Sequence, residues 1–298
     1  MSVFNIFKHD KRSNRNVALT LSSGGARGLA HIGAIEALID NGYKITSLSG
    51  TSFGSIVAAM YATGHLEDFK QWMLSIDKKQ MREYTDYSFS LYSIVKGDRI
   101  IEQLKKISPD TDIEDLPVPL SIIATDWRTG HEVVFNHGSL WHAVRASMSV
   151  PAFFEPVKDG ERILIDGGIT NPLPLDRAKR TKDDLLVGVN VSGHDYGGIY
   201  NRKKMAHEWA AKKSLPISLL SRLLSKDAGY IMNYYTMINQ TVSIAISQNA
   251  SRNIIICKPD ILVNISMRRY GGNDYDKAAS IIKIGYRKMS AAIKAFKK

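Results

Sequence analysis

Read as a pattern of hydrophobic and polar positions, the chain begins with a mixed stretch over Met1–Arg15, then a short apolar run at Val17–Ser22 that leads into a cluster of glycines. Leu29, Ile32, Ile35, Leu38 and Ile39 follow at helical spacing, and Asn41-Gly42 supplies the left-handed cap that ends such a helix. Tyr43–Ser49 reads as a second strand and Ser55–Thr63 as a second helix. An alternation of strand and helix lays the strands side by side in parallel, because the intervening helix carries the chain back to the start of the sheet.

Further along, Asp98–Ile107 predicts a helix, while Leu120–Asp126 and Glu132–Phe135 predict two extended segments joined by a turn at Trp127–Gly130. Leu140–Met148 predicts a helix that stops at Val150-Pro151, and Arg162–Ile165 a short strand running into Asp166-Gly167-Gly168. Leu185–Val191 is almost continuously apolar, the mark of a strand covered on both faces. Asn201–Gln248 predicts mostly helix, Ile254–Cys257 a last strand, and Tyr275–Phe296 a closing helix. No repeat, low-complexity tract or linker composition divides the chain.

Composition changes this picture little: 298 residues with 44% hydrophobic and 23% charged are ordinary for a folded chain. The single cysteine, Cys257, excludes an internal disulfide and reads as a buried, inert thiol, so a reducing, cytoplasmic setting is expected. Met1–Arg15 lacks the apolar core of a secretory signal, and no stretch reaches the about 18 uninterrupted apolar residues of a spanning helix.

The net charge of +11 does more, since a basic field attracts nucleic acid and anionic membrane surfaces alike. The excess gathers late, at Arg202, Lys203, Lys204, Lys212, Lys213, Arg222 and Lys226, and again from Lys283 to Lys298. Between the late basic residues, Leu215–Leu224 forms an amphipathic stretch, read either as a core helix or as a face resting on an anionic bilayer. No helix-turn-helix, zinc-knuckle or base-stacking motif accompanies the charge, so no nucleic acid partner is expected.

Candidate chemistry starts at Gly50-Thr51-Ser52-Phe53-Gly54, a G-x-S-x-G pattern set between a predicted strand and a predicted helix. Such a turn strains the serine and projects its hydroxyl, and Gly50 and Gly54 let neighbouring backbone approach. The loop Gly24-Gly25-Ala26-Arg27-Gly28 opens the first helix with free N–H groups, which suit a phosphate or an oxyanion. It breaks the G-x-G-x-x-G fingerprint, and Ala34-Ile35 stand where a P-loop needs Lys and Ser or Thr. Lying beside the serine strand, the loop reads as an oxyanion hole. Arg27 is expected to structure the loop, and His31 to support it from the helix.

Two bases suit Ser52. Asp166, followed by Gly167 and Gly168, sits at a strand end where backbone comes close to another group, and desolvation there would raise its proton affinity. His194 and His207 follow Asp166 in the order that a Ser-Asp-His triad uses, and His194 is the stronger rival.

Gly24–Gly28, Gly50–Gly54 and Asp166-Gly167-Gly168 together resemble the three signatures of patatin-like phospholipases, and Ala146–Pro156 resembles a fourth segment leading to the aspartate. The likeness is detailed from Val17 to Val191 and looser through Ile254–Pro259 and the last helix. It implies a three-layer α/β/α fold with a mainly parallel sheet, and a Ser52–Asp166 dyad working without histidine, metal or cofactor. It also implies an oxyanion hole at Gly24, Gly25, Ala26, Arg27 and Gly28, and lipid acyl esters as substrate. The domain expectation is an extension at 1–15 and one hydrolase domain at 16–298, with 196–250 as a helical lid or membrane-facing part. Peripheral contact with the inner membrane face fits that reading. The alternatives are a thioesterase or carboxylesterase with a Ser52–Asp166–His194 triad, or a basic binding protein without enzymatic activity.

Overall fold

The computed structural model describes residues 15–77, 80, 95–193, 234–266 and 269–297. Among these residues eight strands form one sheet: β1 (Asn16–Leu21), β2 (Lys44–Thr51), β3 (Leu120–Asp126), β4 (Glu132–Phe135), β5 (Val157–Asp159), β6 (Arg162–Asp166), β7 (Leu185–Gly193) and β8 (Ile261–Ser266). Their hydrogen-bonded order is β5-β6-β3-β2-β1-β7-β8, with β4 also paired to β3. The pairs among β3, β2, β1, β7 and β8 are parallel, and β4, β5 and β6 join antiparallel.

Helices cover both faces: α1 (Ala30–Asp40), α2 (Phe53–Ala62), α3 (Leu66–Ser75), α4 (Asp98–Ile107), α5 (Leu140–Ser147), α6 (Tyr234–Cys257) and α7 (Ala278–Phe296). The alternation along β1 sorts the layers. Val17, Leu19 and Leu21 point into the main core with α1, α2 and α7, whereas Ala18 faces a smaller core with Leu173, Leu186 and Ala250 of α6. The molecule is therefore a three-layer α/β/α sandwich, with the parallel strands that the alternating pattern predicts and the layering that the resemblance implies.

The late part departs from the sequence expectation. Ile254–Cys257, expected as the last strand, completes α6 instead, and β8 is the next run, where Ile261, Val263 and Ile265 are buried in alternation. The β-branched run Ile254-Ile255-Ile256 favours a strand locally. Helical phase prevails because Ala250, Ile254 and Cys257 all reach the smaller core, while Asn249 and Asn253 Nδ2 donate to the carbonyls of Ile169 and Leu173. Lys258, at φ 48, and Pro259 then stop the helix. Leu215–Leu224, His194, His207 and most of 196–250 lie outside the described residues. Among those described, no helix is long and apolar enough to cross a membrane.

Helices α1 and α7 meet backbone to backbone. A Cβ on Gly285 would stand 1.9 Å from the Ala30 carbonyl oxygen, and one on Gly33 would stand 2.0 Å from that of Ile282. Ala30 begins α1 where the glycine loop ends, so this contact fixes the loop to the sheet's helical cover. Gly285→Ala should therefore force the helices apart and lower stability by roughly 1–3 kcal/mol, read as a lower urea midpoint at unchanged m-value. An unchanged midpoint would show that the helix pair tolerates wider spacing.

Candidate active site

The edge of β3 brings the distant parts together. Ile122 and Ile123 pair with both β2 and β4, which must therefore flank β3 on opposite sides. Ala124 and Thr125 pair with both β4 and β6, so β6 takes over the side that β2 leaves. Thr51 thus lies opposite Ile123 and Asp166 opposite Ala124, two strands arriving end to end at consecutive positions of a third. Gly167 makes this junction fit, because a Cβ there would stand 2.1 Å from the Ile123 carbonyl oxygen.

Ser52 follows Thr51 directly and is the N-cap of α2 at φ 55, ψ −126, a conformation that side-chain-bearing residues rarely adopt. Two contacts outside the turn hold it. Its N–H donates to Ser147 Oγ at 2.8 Å, and Gly54 presses α2 against the end of β1, where a Cβ would stand 2.3 Å from the Leu21 carbonyl oxygen. Ser52 Oγ then donates to Asp166 Oδ2 at 2.5 Å.

Asp166 is 3% exposed and accepts a second bond on Oδ1 from the Gly168 N–H, at 2.6 Å. Burial pushes its carboxyl up to about 6, against the downward pull of the bonds from Ser52 and Gly168. Its own N–H donates to the Ser149 carbonyl. Ser147 and Ser149, both in the segment Ala146–Pro156, therefore hold one member of the pair each. Sequence reasoning located that segment without assigning these contacts, since serine is too common for its type to signal a role.

Beyond Asp166 the chain is braced from two directions. Thr51 Oγ1 donates to the Asn171 carbonyl at 2.8 Å, and Asn253 Nδ2 of α6 donates to Asn171 Oδ1 at 2.7 Å. Neither asparagine carries a sequence pattern that would have marked it.

The glycine loop forms a 3-10 turn over Gly25–Leu29 capped by Gly24, in which amides from Arg27 onward bond back along the turn. The Ala26 N–H donates to the Gly272 carbonyl at 2.8 Å. Of the five residues expected to offer amides, Gly24 and Gly25 keep theirs without an acceptor among the described residues. Gly25 is obliged to be glycine, with φ +58 and the Gly272 oxygen 2.6 Å from its Cβ position. Gly28 makes room for the Phe53 ring.

Arg27 Nε donates to the Val191 carbonyl at 3.1 Å, tying the loop to the end of β7. His31 is fully buried, its Nε2 bonded to the Ser22 carbonyl, and burial pushes its pKa down to about 4. The ring is therefore neutral at pH 7 and supports the loop from beneath. His194 lies outside the described residues, while the serine hydroxyl is already bound to a carboxylate oxygen, the place a triad gives to imidazole. Among the described residues no cluster of His, Cys, Asp and Glu is arranged to hold a metal ion.

A three-layer α/β/α fold whose strained serine sits between strand and helix, hydrogen-bonded to a buried carboxylate, defines a class of α/β proteins with a strained serine turn at the end of a central strand. The family described as patatin-like phospholipase matches residues 19–179, and the chain belongs to that family. An uncharacterized NTE family protein of Mycobacterium tuberculosis is 38% identical over 185 residues, covering 62% of this chain and 51% of its own length. Patatin-like phospholipase domain-containing protein 6 of Mus musculus is 31% identical over 222 residues, covering 68% of this chain and 16% of that protein. The chain thus spans about half the length of the mycobacterial relative and a small part of the mouse protein. The crystal structure of VipD from Legionella pneumophila shares the fold at a TM-score of 0.50 and 15% identity, covering 95% of this chain and 67% of that one.

The raised carboxyl has a consequence for stability. An unfolded aspartate ionises near 3.8 and the folded one near 6, so ionisation between those values works against the native state. Asp166→Asn has no such charge to bury. Its stability relative to the parent should climb as pH rises from about 4 to about 6 and then level, by a few kcal/mol at about 1.4 kcal/mol per pKa unit. Urea unfolding across that range measures it, and a difference independent of pH would contradict the buried ionisation.

Proposed function

We propose that this chain is a lipid acyl hydrolase, a phospholipase A or lysophospholipase-like carboxylic ester hydrolase that uses Ser52 and Asp166 as a dyad. The supporting observation is the 2.5 Å bond from Ser52 Oγ to a carboxylate that burial has made more basic. In this reading Ser52 Oγ attacks the ester carbonyl carbon while its proton passes to Asp166 Oδ2. The amides of Gly24 and Gly25 hold the oxyanion, aided by the positive end of α2. Collapse breaks the bond to the alcohol, which takes the proton from Asp166. Water then attacks the acyl-enzyme, Asp166 accepts its proton and returns it to Ser52 as the acid leaves.

No step calls on a metal or cofactor. Family membership favours lipid esters over other acyl esters, and the charge of +11 favours an anionic membrane surface as the place where they are met, the cytoplasmic leaflet in particular. We read 16–298 as one hydrolase domain, with 196–250 as its lid or membrane-facing part.

The test compares the parent with Ser52→Ala, Asp166→Asn and His194→Ala on phospholipid, lysophospholipid, monoacylglycerol and a p-nitrophenyl ester. The first two should lose at least about 10³-fold in kcat and His194→Ala little; collapse of all three would install a triad instead. The parent's kcat/KM should rise with pH through about 6 as Asp166 loses its proton and then level. Co-sedimentation should be stronger with anionic than with neutral vesicles, and equal partitioning would remove the membrane reading.

A further inference from the structure

Next to the dyad stands a hydroxyl with no resting partner among the described residues. Ser23, the residue before Gly24, is 2% exposed, and its Oγ is a buried polar atom without a hydrogen bond. Its backbone is fixed: the N–H donates to the Pro172 carbonyl at 2.9 Å, and its carbonyl accepts from Ser22 Oγ and Ser192 Oγ. A buried hydroxyl left unpaired is costly, and such atoms are few in folded proteins.

Its location suggests what it is kept for. The point where a Cβ on Gly168 would stand is 3.1 Å from Ser23 Oγ and 2.9 Å from Asp166 Oδ1. The two oxygens thus border the same small space, left open because residue 168 is glycine.

At rest, among the described residues, the Asp166 carboxylate accepts from Ser52 Oγ on Oδ2 and from the Gly168 N–H on Oδ1. Once Ser52 carries an acyl group, its oxygen is an ester oxygen with no hydrogen to donate. The carboxylate, having passed its proton to the leaving alcohol, is then a buried anion with one donor fewer at the moment it must act as base toward water.

We propose that Ser23 is a positioning residue for the second half of the reaction, whose hydroxyl turns to donate to Asp166 Oδ1 when acylation of Ser52 removes that serine's bond. Ser23 forms and breaks no covalent bond. The water oxygen attacks the acyl carbon, the water proton passes to Asp166, and the bond between acyl carbon and Ser52 Oγ breaks as Oγ takes that proton back. Ser23 keeps the carboxylate ionised and oriented between those proton transfers. This inference rests on the dyad reading.

Acylation and deacylation can be timed separately on a p-nitrophenyl ester, as the burst of p-nitrophenol and the steady phase that follows. Ser23→Ala should slow the steady phase by about 10-fold while the burst slows less than about 3-fold, a hydrogen bond to a charged group being at stake. The acid limb of the steady phase should also move to higher pH, since the carboxylate of the acyl-enzyme would hold its proton longer, while that of the burst stays in place. Ser23→Thr, which keeps a hydroxyl, should restore both rate and limb. If Ser23→Ala does not fold, Ser23→Gly removes the same hydroxyl and carries the same expectation.

Equal slowing of both phases, or no slowing with the pH limbs unmoved, would overturn the role of Ser23. Ser52→Ala is run alongside: a burst that survives in it overturns the dyad itself, a failure distinct from a normal burst in Ser52-intact protein whose steady phase ignores Ser23.

Discussion

The structure turns on the way two strands share one edge of a third. β2 pairs with the first half of β3 and β6, running the other way, with the second half, so their ends meet at Ile123 and Ala124. Everything placed at that junction follows from hydrogen-bond register. A slip of one residue in the β6 ladder would turn the side chain of Asp166 to the other face of the sheet, and a slip in the β2 ladder would do the same to Thr51 ahead of Ser52, since strand side chains alternate. The glycines around the junction serve it: Gly167 lets β6 end against the Ile123 carbonyl, and Gly54 lets α2 begin against the end of β1.

Electrostatics at the junction follow from its burial. A carboxylate with two donors and little water is held well above its ordinary pKa, and His31 below the neighbouring loop is held well below its own. The two shifts have one cause and opposite signs, because burial disfavours whichever form is charged. The site thus keeps a neutral imidazole under the loop and a carboxylate of raised basicity beside the serine, without a nearby counter-charge being needed for either.

The supports come from far along the chain. Ser147 and Ser149 hold the serine and the aspartate, Asn249 and Asn253 of α6 tie down the stretch after Asp166, and the carbonyl of Gly272 takes the Ala26 amide. α6 and the residues before α7 lie outside the stretch matched by the family, so this chain's late portion contributes to the geometry of a site whose recognisable signatures all precede it.

Much of this was legible in the residues themselves. The periodicity of β1, α1, β2 and α4 marked them as they are, since each element's apolar spacing is a local property, and the glycine-flanked Ser52 and Asp166 stood out because only close backbone contact demands glycine there. The run Ile254–Cys257 misled for the same reason: its β-branched residues state a local preference, while the helix they complete is chosen by contacts with Ala250, Leu173 and Leu186. Sequence likewise marked five loop residues as amide donors, but the loop's own 3-10 turn takes the amides from Arg27 onward, and that of Ala26 is taken by Gly272, more than two hundred residues away. The sequence alone determined which elements form and which residue types can do chemistry; register, burial and the partners of single hydrogen-bonding groups were settled only in three dimensions, because each depends on atoms that the chain order does not place nearby.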